Sequence, residues 1–259
     1  MNKRILVPYD FSKASEHGVR YAIDYAGSLP GVDLQFCLIA DQEDPERFEE
    51  ARTRISSGIS RIFQGELSWT TLIPGSVDGL LEKCTEEKAD MVIMGTEGSS
   101  KADANTKTAE LVLKAMFPVL VVPSGTEEEF KLGRIALVLG SNEIDDPNLL
   151  HTLLQIARRF NASVTVLTIA SESDHFGYTE PEERNEHLLE YYLESFYSHH
   201  VYIKNEDVVA GIFDYVDAHD IDLVTILPNK HVKKGTPSEG RLTRILAQQS
   251  STPLLTIEH

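Results

Sequence analysis

The chain has 259 residues, 41% of them hydrophobic and 25% charged, a composition typical of globular proteins and unlike disordered or fibrous ones. A length above that of most single domains predicts two domains. The formal net charge of −17 disfavours nucleic acid and anionic membrane surfaces as partners, because both repel an acidic protein.

The first half alternates short apolar runs with helical patterns. We predict strands at 4–10, 38–40, 67–73, 89–94 and 118–122, and helices at 14–28, 45–63, 77–87 and 106–115. The apolar runs are mostly β-branched or Leu-rich and are bounded by Gly, Pro, Asp or Asn. That pattern is typical of strands buried on both faces of a parallel sheet.

The second half repeats this order. Residues 134–140, 168–170, 221–226 and 253–257 answer the strands that start at 4, 38, 89 and 118, and a third strand is predicted at 201–204. The helices between them are predicted at 146–160, 180–198, 209–219 and 241–249. The sequence therefore predicts two tandem domains, 1–125 and 131–259, joined by an acidic linker.

Strands that alternate with helices predict an α/β fold, in which each domain has a five-stranded parallel sheet covered by helices on both faces. Ligands of such sheets bind beyond the carboxyl ends of the strands, near the first and fourth. Asp10 follows the first strand. Gly95 and Gly98 follow the fourth, where glycine lets backbone N–H groups approach a phosphate, and Asn105 and Thr106 then open a helix whose dipole favours an anion.

Each of these residues also has a purely structural interpretation. Asp10 or Ser12 can serve only to cap the next helix, and a G-x-x-G loop is often no more than a turn. In the second half Gly140 replaces the Asp, and Leu-Pro-Asn-Lys at 227–230 replaces the first G-x-x-G. A basic cluster follows there, which is either a solvated loop or an anion site built from side chains: Lys230, His231, Lys233, Lys234, Arg241 and Arg244.

Other features favour ordinary packing. Cys37 and Cys84 are too few for a disulfide framework. His187, His199 and His200 lack a metal-binding spacing such as H-E-x-x-H, so we predict no metal site. We interpret four aromatic residues at helical spacing as core-facing: Tyr191, Tyr192, Phe196 and Tyr197. The chain start lacks the apolar region of a signal peptide, and no stretch approaches ~18 apolar residues, which predicts a cytoplasmic protein.

Three segments together resemble the universal stress protein family. They read ILVPYDFS at 5–12, ADMVIMGTEG at 89–98 and FPVLVV at 117–122, in the order of the family, with a weaker echo in the second half. The chain thus resembles a tandem member. The resemblance implies two doubly wound sheets with strand order 3-2-1-4-5. It also implies pairing of the fifth strands, here as an intrachain pseudo-dimer, with a homodimer left open.

The resemblance also implies an ATP site in the first domain. Asp10 would meet the adenosine, Ile39 would pack on the adenine, and the phosphate loop would be shaped by Met94, Gly95, Gly98, Asn105 and Thr106. Two departures from the family pattern concern this loop: six residues instead of nine follow Gly98, and Asn105 replaces a Gly. Asn is the residue besides Gly that most readily adopts left-handed backbone, so the turn can persist. We expect Mg²⁺ to offset Glu97 and Asp103.

Three functions follow as hypotheses. The first is a regulatory protein that binds ATP or a related nucleotide in the first domain and signals to protein partners that the sequence does not identify. The second is a structural or interaction protein of the same fold that has lost nucleotide binding. The third is an enzyme of the related nucleotide α-hydrolase class, which needs a Ser-Gly-Gly-x-Asp-Ser type loop where this chain has Asp10-Phe11-Ser12-Lys13. We expect no enzyme beyond a slow ATPase.

Overall fold

A computed structural model describes residues 2–27, 30–59, 63–98, 106–126, 129–139, 144, 146–170, 180–227 and 238–257. The chain forms two compact units. The first comprises Met1–Phe130 with Ala247–Ser251, and the second comprises Lys131–Leu246 with Thr252–His259.

The first unit is a parallel sheet with intervening helices. Its elements are β1 (Lys3–Tyr9), α1 (Lys13–Ala26), β2 (Val32–Ile39), α2 (Pro45–Gly58), β3 (Leu67–Leu72), α3 (Val77–Glu86), β4 (Met91–Thr96), α4 (Lys107–Lys114) and β5 (Val119–Pro123). The strand order is β3-β2-β1-β4-β5, with every pair parallel. The order reverses beside β1, so the ends of β1 and β4 lie at the switch point where such folds bind ligands.

The second unit repeats the topology. Its elements are β6 (Arg134–Val138), α5 (Asn148–Phe160), β7 (Ser163–Ala170), α6 (Glu180–Leu193), β8 (Tyr197–Lys204), α7 (Val208–Ala218), β9 (Leu223–Ile226), α8 (Ser238–Gln249) and β10 (Leu254–Thr256). The order β8-β7-β6-β9-β10 is again 3-2-1-4-5 within the unit, and its pairs are parallel. The predicted fold class is confirmed.

The core lies on both faces of the central strands. Consecutive residues Ile5, Leu6 and Val7 of β1 are all at most 2% exposed, although successive side chains of a strand point to opposite faces. Helices therefore cover both sides of the sheet. The helices of the first unit begin at residues whose side-chain oxygen accepts a hydrogen bond from the backbone of the first turn, which satisfies an otherwise unpaired N–H group: Ser12, Asp44, Ser76 and Thr106.

Two sequence interpretations were wrong around residue 195. The helix predicted at 180–198 ends at Leu193, a 3₁₀ turn follows over Glu194–Phe196, and β8 begins at Tyr197. Tyr191, interpreted as core-facing, is 76% exposed. The aromatic spacing suggested a longer helix because an edge strand is half exposed and carries no continuous apolar run to mark its start.

Candidate functional site

A pocket of about 310 Å³ lies in the first unit at the carboxyl ends of β1, β2 and β4. This volume is at the lower end of the range of small-molecule sites. Four of the predicted site residues line it: Asp10, Ile39, Met94 and Gly95. The predicted residues at the ends of three strands are thus brought together around one cavity.

Three helices point their N-termini at this pocket. Its lining includes Ser12 at the start of α1, Ser76 at the start of α3, and Lys107 and Thr108 in the first turn of α4. The first turn of a helix presents backbone N–H groups without intrahelical partners, and the macrodipole places roughly half a positive charge there. Three such ends make the pocket favourable for an anion.

The loop after β1 holds Asp10 at the pocket in an unusual backbone conformation. Phe11 adopts a φ of 67°, which bulky L-residues seldom do. Its ring is fixed by the Arg47 guanidinium, 3.9 Å from the ring centroid, and by Phe48, whose parallel ring lies 6.0 Å away. This turn brings the Asp10 carboxylate back towards the backbone of Ser12.

Ser12, not Asp10, caps the helix. The Ser12 hydroxyl accepts a hydrogen bond from the backbone N–H of Ser15 at 3.1 Å. Ser12 also donates twice to Oδ1 of Asp10, from its hydroxyl at 2.6 Å and from its backbone N–H at 3.1 Å. Burial alone would raise the pKa of Asp10, but the hydrogen bonds from Ser12 and Ser15 outweigh it and hold the pKa below its ordinary value. Asp10 is therefore a carboxylate at neutral pH.

Gly95 has a packing reason that the sequence did not reveal. A Cβ atom there would lie 1.7 Å from the carbonyl oxygen of Ala14, and a Cβ on Gly18 would lie 2.4 Å from the backbone nitrogen of Gly95. These two glycines allow α1 to press directly against β4. Gly95 is thus required by the fold whether or not a ligand binds.

Gly98 and Thr106 of the predicted phosphate loop have local structural roles. Gly98 has a φ of 72° and donates its backbone N–H to Oγ1 of Thr96 at 3.1 Å. Thr106 caps α4 by accepting from the backbone N–H of Ala109 at 3.1 Å. Among the described residues, neither Gly98 nor Thr106 is part of the lining. Asn105 and the nearby Asp103 lie outside the described residues.

One wall of the pocket is apolar. Ile39, Val77, Met94 and Leu111 contribute to it, from four different elements. A Cβ on the neighbouring Gly75 would lie 2.4 Å from Cγ2 of Ile39, so glycine at that position is what admits the isoleucine side chain. The pocket thus combines an apolar wall with polar helix starts, the usual make-up of a small-molecule site.

Sequence reasoning missed Ser76 and Lys107. Ser76 accepts from the backbone N–H of Gly79 at 3.0 Å and caps α3 beside the pocket. Lys107 is the cationic residue of the lining, which also carries the acidic side chains of Asp10 and Glu97. The local sequence is sufficient to predict that a serine caps the helix. Its approach to the loops of β1 and β4 depends on tertiary packing, which a local sequence pattern does not predict.

The second unit starts its third helix differently. Asp207 caps α7, and its Oδ1 accepts from the backbone N–H groups of Val209 and Ala210 at 3.0 and 3.1 Å. Leu227 directly follows β9 and corresponds in the repeat to Gly95, which lies near the end of β4 in the first unit. Of the basic cluster, Arg241 and Arg244 lie on α8, whereas Gly140 and residues 228–237 lie outside the described residues.

Thiol and metal chemistry find no support in the part of the chain that is described. Cys37 and Cys84 are free and buried, and burial raises the pKa of each thiol to about 12, so both stay protonated at neutral pH. Nδ1 of His200 lies 3.2 Å from Glu186, but the described residues contain no group of three metal-ligating side chains. Within the same residues, no helix has the length and apolar character to span a bilayer.

Comparisons with known proteins identify the fold. Neither the protein-family models nor the curated proteins include a match to the sequence. Among solved structures, the chain is similar to a universal stress protein from Archaeoglobus fulgidus, with 98% of each chain covered, a TM-score of 0.69 and 13% identity. It is also similar to a putative universal stress protein from Pseudomonas aeruginosa, over 99% of this chain and 93% of the other, with a TM-score of 0.63 and 14% identity.

Proposed function

We propose that this chain, which has the universal stress protein fold along nearly its whole length, is a regulatory protein that binds ATP or a related nucleotide in the pocket of its first unit. One observation carries the proposal: the starts of α1, α3 and α4 converge on a single cavity with an apolar wall. A nucleotide has the matching chemistry, because its base is flat and apolar on both faces and its phosphates are anionic.

Asp10 would orient the nucleoside. An ionised carboxylate only accepts hydrogen bonds, so it requires a donor such as a ribose hydroxyl. Both hydrogen bonds from Ser12 end on Oδ1, and in this proposal Oδ2 accepts from the ligand. The hydrogen-bonded Ser12 holds the carboxylate in place before the ligand arrives, which reduces the entropic cost of binding.

The phosphates would lie towards the start of α4. Glu97 lines the same pocket, so a triphosphate would meet a like charge as well as the helix dipoles. A Mg²⁺ ion bridging phosphate oxygens would offset that repulsion. We therefore expect ATP to bind as its magnesium complex.

A structural role without nucleotide is the second candidate, favoured by a specific observation. Gly95 is explained by the packing of α1, and the N–H of Gly98 is engaged by Thr96. Two glycines of the family-like loop therefore have roles that need no ligand.

Mass spectrometry of nucleotides released from the purified full-length chain separates the two candidates. Co-purified ATP, ADP or AMP in near-stoichiometric amount supports the first. Absence of any released nucleotide, together with no heat signal when ATP and Mg²⁺ are titrated into the chain, would favour the structural role.

A further inference from the structure

Lys107 occupies an electrostatically unfavourable position. It is the first residue of α4, where the helix dipole opposes a cation. The acidic residue of that turn, Glu110, is engaged by Lys114 at 2.8 Å. Within the described residues, Lys107 forms no hydrogen bond or ion pair. A charge placed against the dipole without a partner is the kind of local conflict that marks functional positions.

Other lysines of the first unit show what an ordinary surface position looks like. Lys114 pairs with Asp78 as well as Glu110, and Lys83 pairs with Glu86 at 2.7 Å. Lys13 is a closer parallel, because it is the first residue of α1 and is also exposed. Lys13, however, is not among the residues that line the pocket, whereas Lys107 is.

We infer that Lys107 is the residue with which the pocket recognises the charge of a phosphate group. The inference rests on the proposed function and names a specificity determinant within that site. Lys107 is the one cationic residue among those described as lining the pocket. An anion bound there would meet both its ammonium group and the N–H groups at the start of α4, so it would satisfy two unpaired features together.

The charge of Lys107 also affects which ligands the pocket prefers. A monophosphate brings about two negative charges, and the ammonium group and a helix N-terminus together offset about one and a half of them without a metal ion. Lys107 thereby lets the pocket distinguish a nucleoside monophosphate from the bare nucleoside in the absence of Mg²⁺.

Calorimetric titration of the full chain with adenosine and with AMP, both in EDTA, tests this role. We expect the wild-type chain to bind AMP about tenfold more tightly than adenosine, as for a hydrogen bond between charged groups. Lys107→Gln should leave the adenosine affinity unchanged and bring AMP to within about twofold of adenosine. The control Lys13→Gln, which removes the same charge at the same helix position outside the pocket, should keep the tenfold preference. Lys107→Arg should keep it as well.

The outcomes are distinguishable. An unchanged preference for AMP in Lys107→Gln would overturn the role of Lys107 but not the proposed nucleotide site. An equal loss of affinity for AMP and for adenosine would lead to the same conclusion. A wild-type chain that binds neither compound in EDTA would overturn this inference, whereas the proposed function would be overturned only if the titration with ATP and Mg²⁺ also gave no binding. Thermal denaturation checks folding, because removing a cation from a helix start should leave the Tm of both Gln variants equal to or above that of the wild type.

Discussion

The two units share a topology but start their third helices with different chemistry. The first unit caps α3 with the neutral hydroxyl of Ser76, whereas the second caps α7 with the carboxylate of Asp207. A carboxylate already supplies the negative charge that a helix N-terminus favours. The start of α3 therefore has a neutral cap, and the Asp78 carboxylate of its first turn is paired with Lys114, whereas the N–H groups at the start of α7 are held by a carboxylate.

The carboxyl ends of the fourth strands, β4 and β9, also differ between the two units. Gly95 lets α1 approach β4 so closely that a Cβ would overlap the backbone of Ala14. Leu227 stands at the corresponding point of the second unit. The buried strands thus keep the fold in both units, while the residues at the carboxyl ends of the strands have diverged. Each substitution below moves one residue of the first unit towards its counterpart or removes its role.

The largest effect should come from Gly95→Leu, which introduces the residue of the second unit. Its Cβ alone would meet the Ala14 carbonyl oxygen at 1.7 Å, so backbone must move. We expect a loss of about 3 kcal/mol or more in the free energy of unfolding of the first unit, at the upper end of overpacking effects. Urea denaturation of the full chain measures it.

Gly58→Ala is the matched control. Gly58 is in α2 and a Cβ there would meet nothing within 4 Å, so alanine should be neutral or stabilise by up to about 1 kcal/mol. A Gly95→Leu chain as stable as Gly58→Ala would show that α1 does not need the close approach to β4.

Asp10→Ala should weaken ATP binding by about 1.5 to 3 kcal/mol, roughly tenfold to a hundredfold, because a hydrogen bond to a charged group is lost. Ser12→Ala should instead lower the stability by about 0.5 to 2 kcal/mol, because Ser12 is the cap of α1. Calorimetry and urea midpoints on both variants separate the two roles. Unchanged ATP affinity in Asp10→Ala would reject its contact with the ligand.

Ser76→Asp copies the cap of the second unit into the first. Asp and Ser cap helices about equally well, so the stability should change little. The added carboxylate should repel phosphate and weaken nucleotide binding by about 1 kcal/mol, roughly fivefold. The reverse variant, Asp207→Ser, lies outside the pocket and should leave binding unchanged. Equal affinities of wild type and Ser76→Asp would mean that the start of α3 does not act on the ligand.

The smallest expected effect is a pH dependence from Asp10. Its pKa is lower in the folded chain, so its ionised form stabilises the fold above the ordinary pKa of about 3.9, and this contribution is lost as the pH falls through the folded pKa. Any stability advantage of the wild type over Asp10→Asn at pH 7 should therefore shrink below about pH 4. An advantage that grows with acidity would contradict this sign.

The sequence predicted the repeated sheet well because its strands are continuous apolar runs, whose burial on two faces leaves few alternatives. It failed at β8, since Tyr197 and its polar neighbours form a half-exposed edge strand that resembles the end of a helix. Asp10 was predicted from its position at the end of the first strand, and Ile39 from the resemblance to the family. Ser76 and Lys107 could not be predicted from the sequence, because only the tertiary packing of α3 and α4 brings them to one pocket.

Hydrogen-exchange mass spectrometry of the full chain, with and without ATP and Mg²⁺, tests whether nucleotide binds at the helix starts of the first unit. We predict slower amide exchange on adding nucleotide at the starts of α1, α3 and α4, residues 12–15, 76–80 and 106–110, because residues of each of these helix starts line the pocket. The start of α7, residues 207–211, should not change, because these residues are not part of the pocket lining. Protection at the start of α7 without protection at the starts of α1, α3 and α4 would contradict the account.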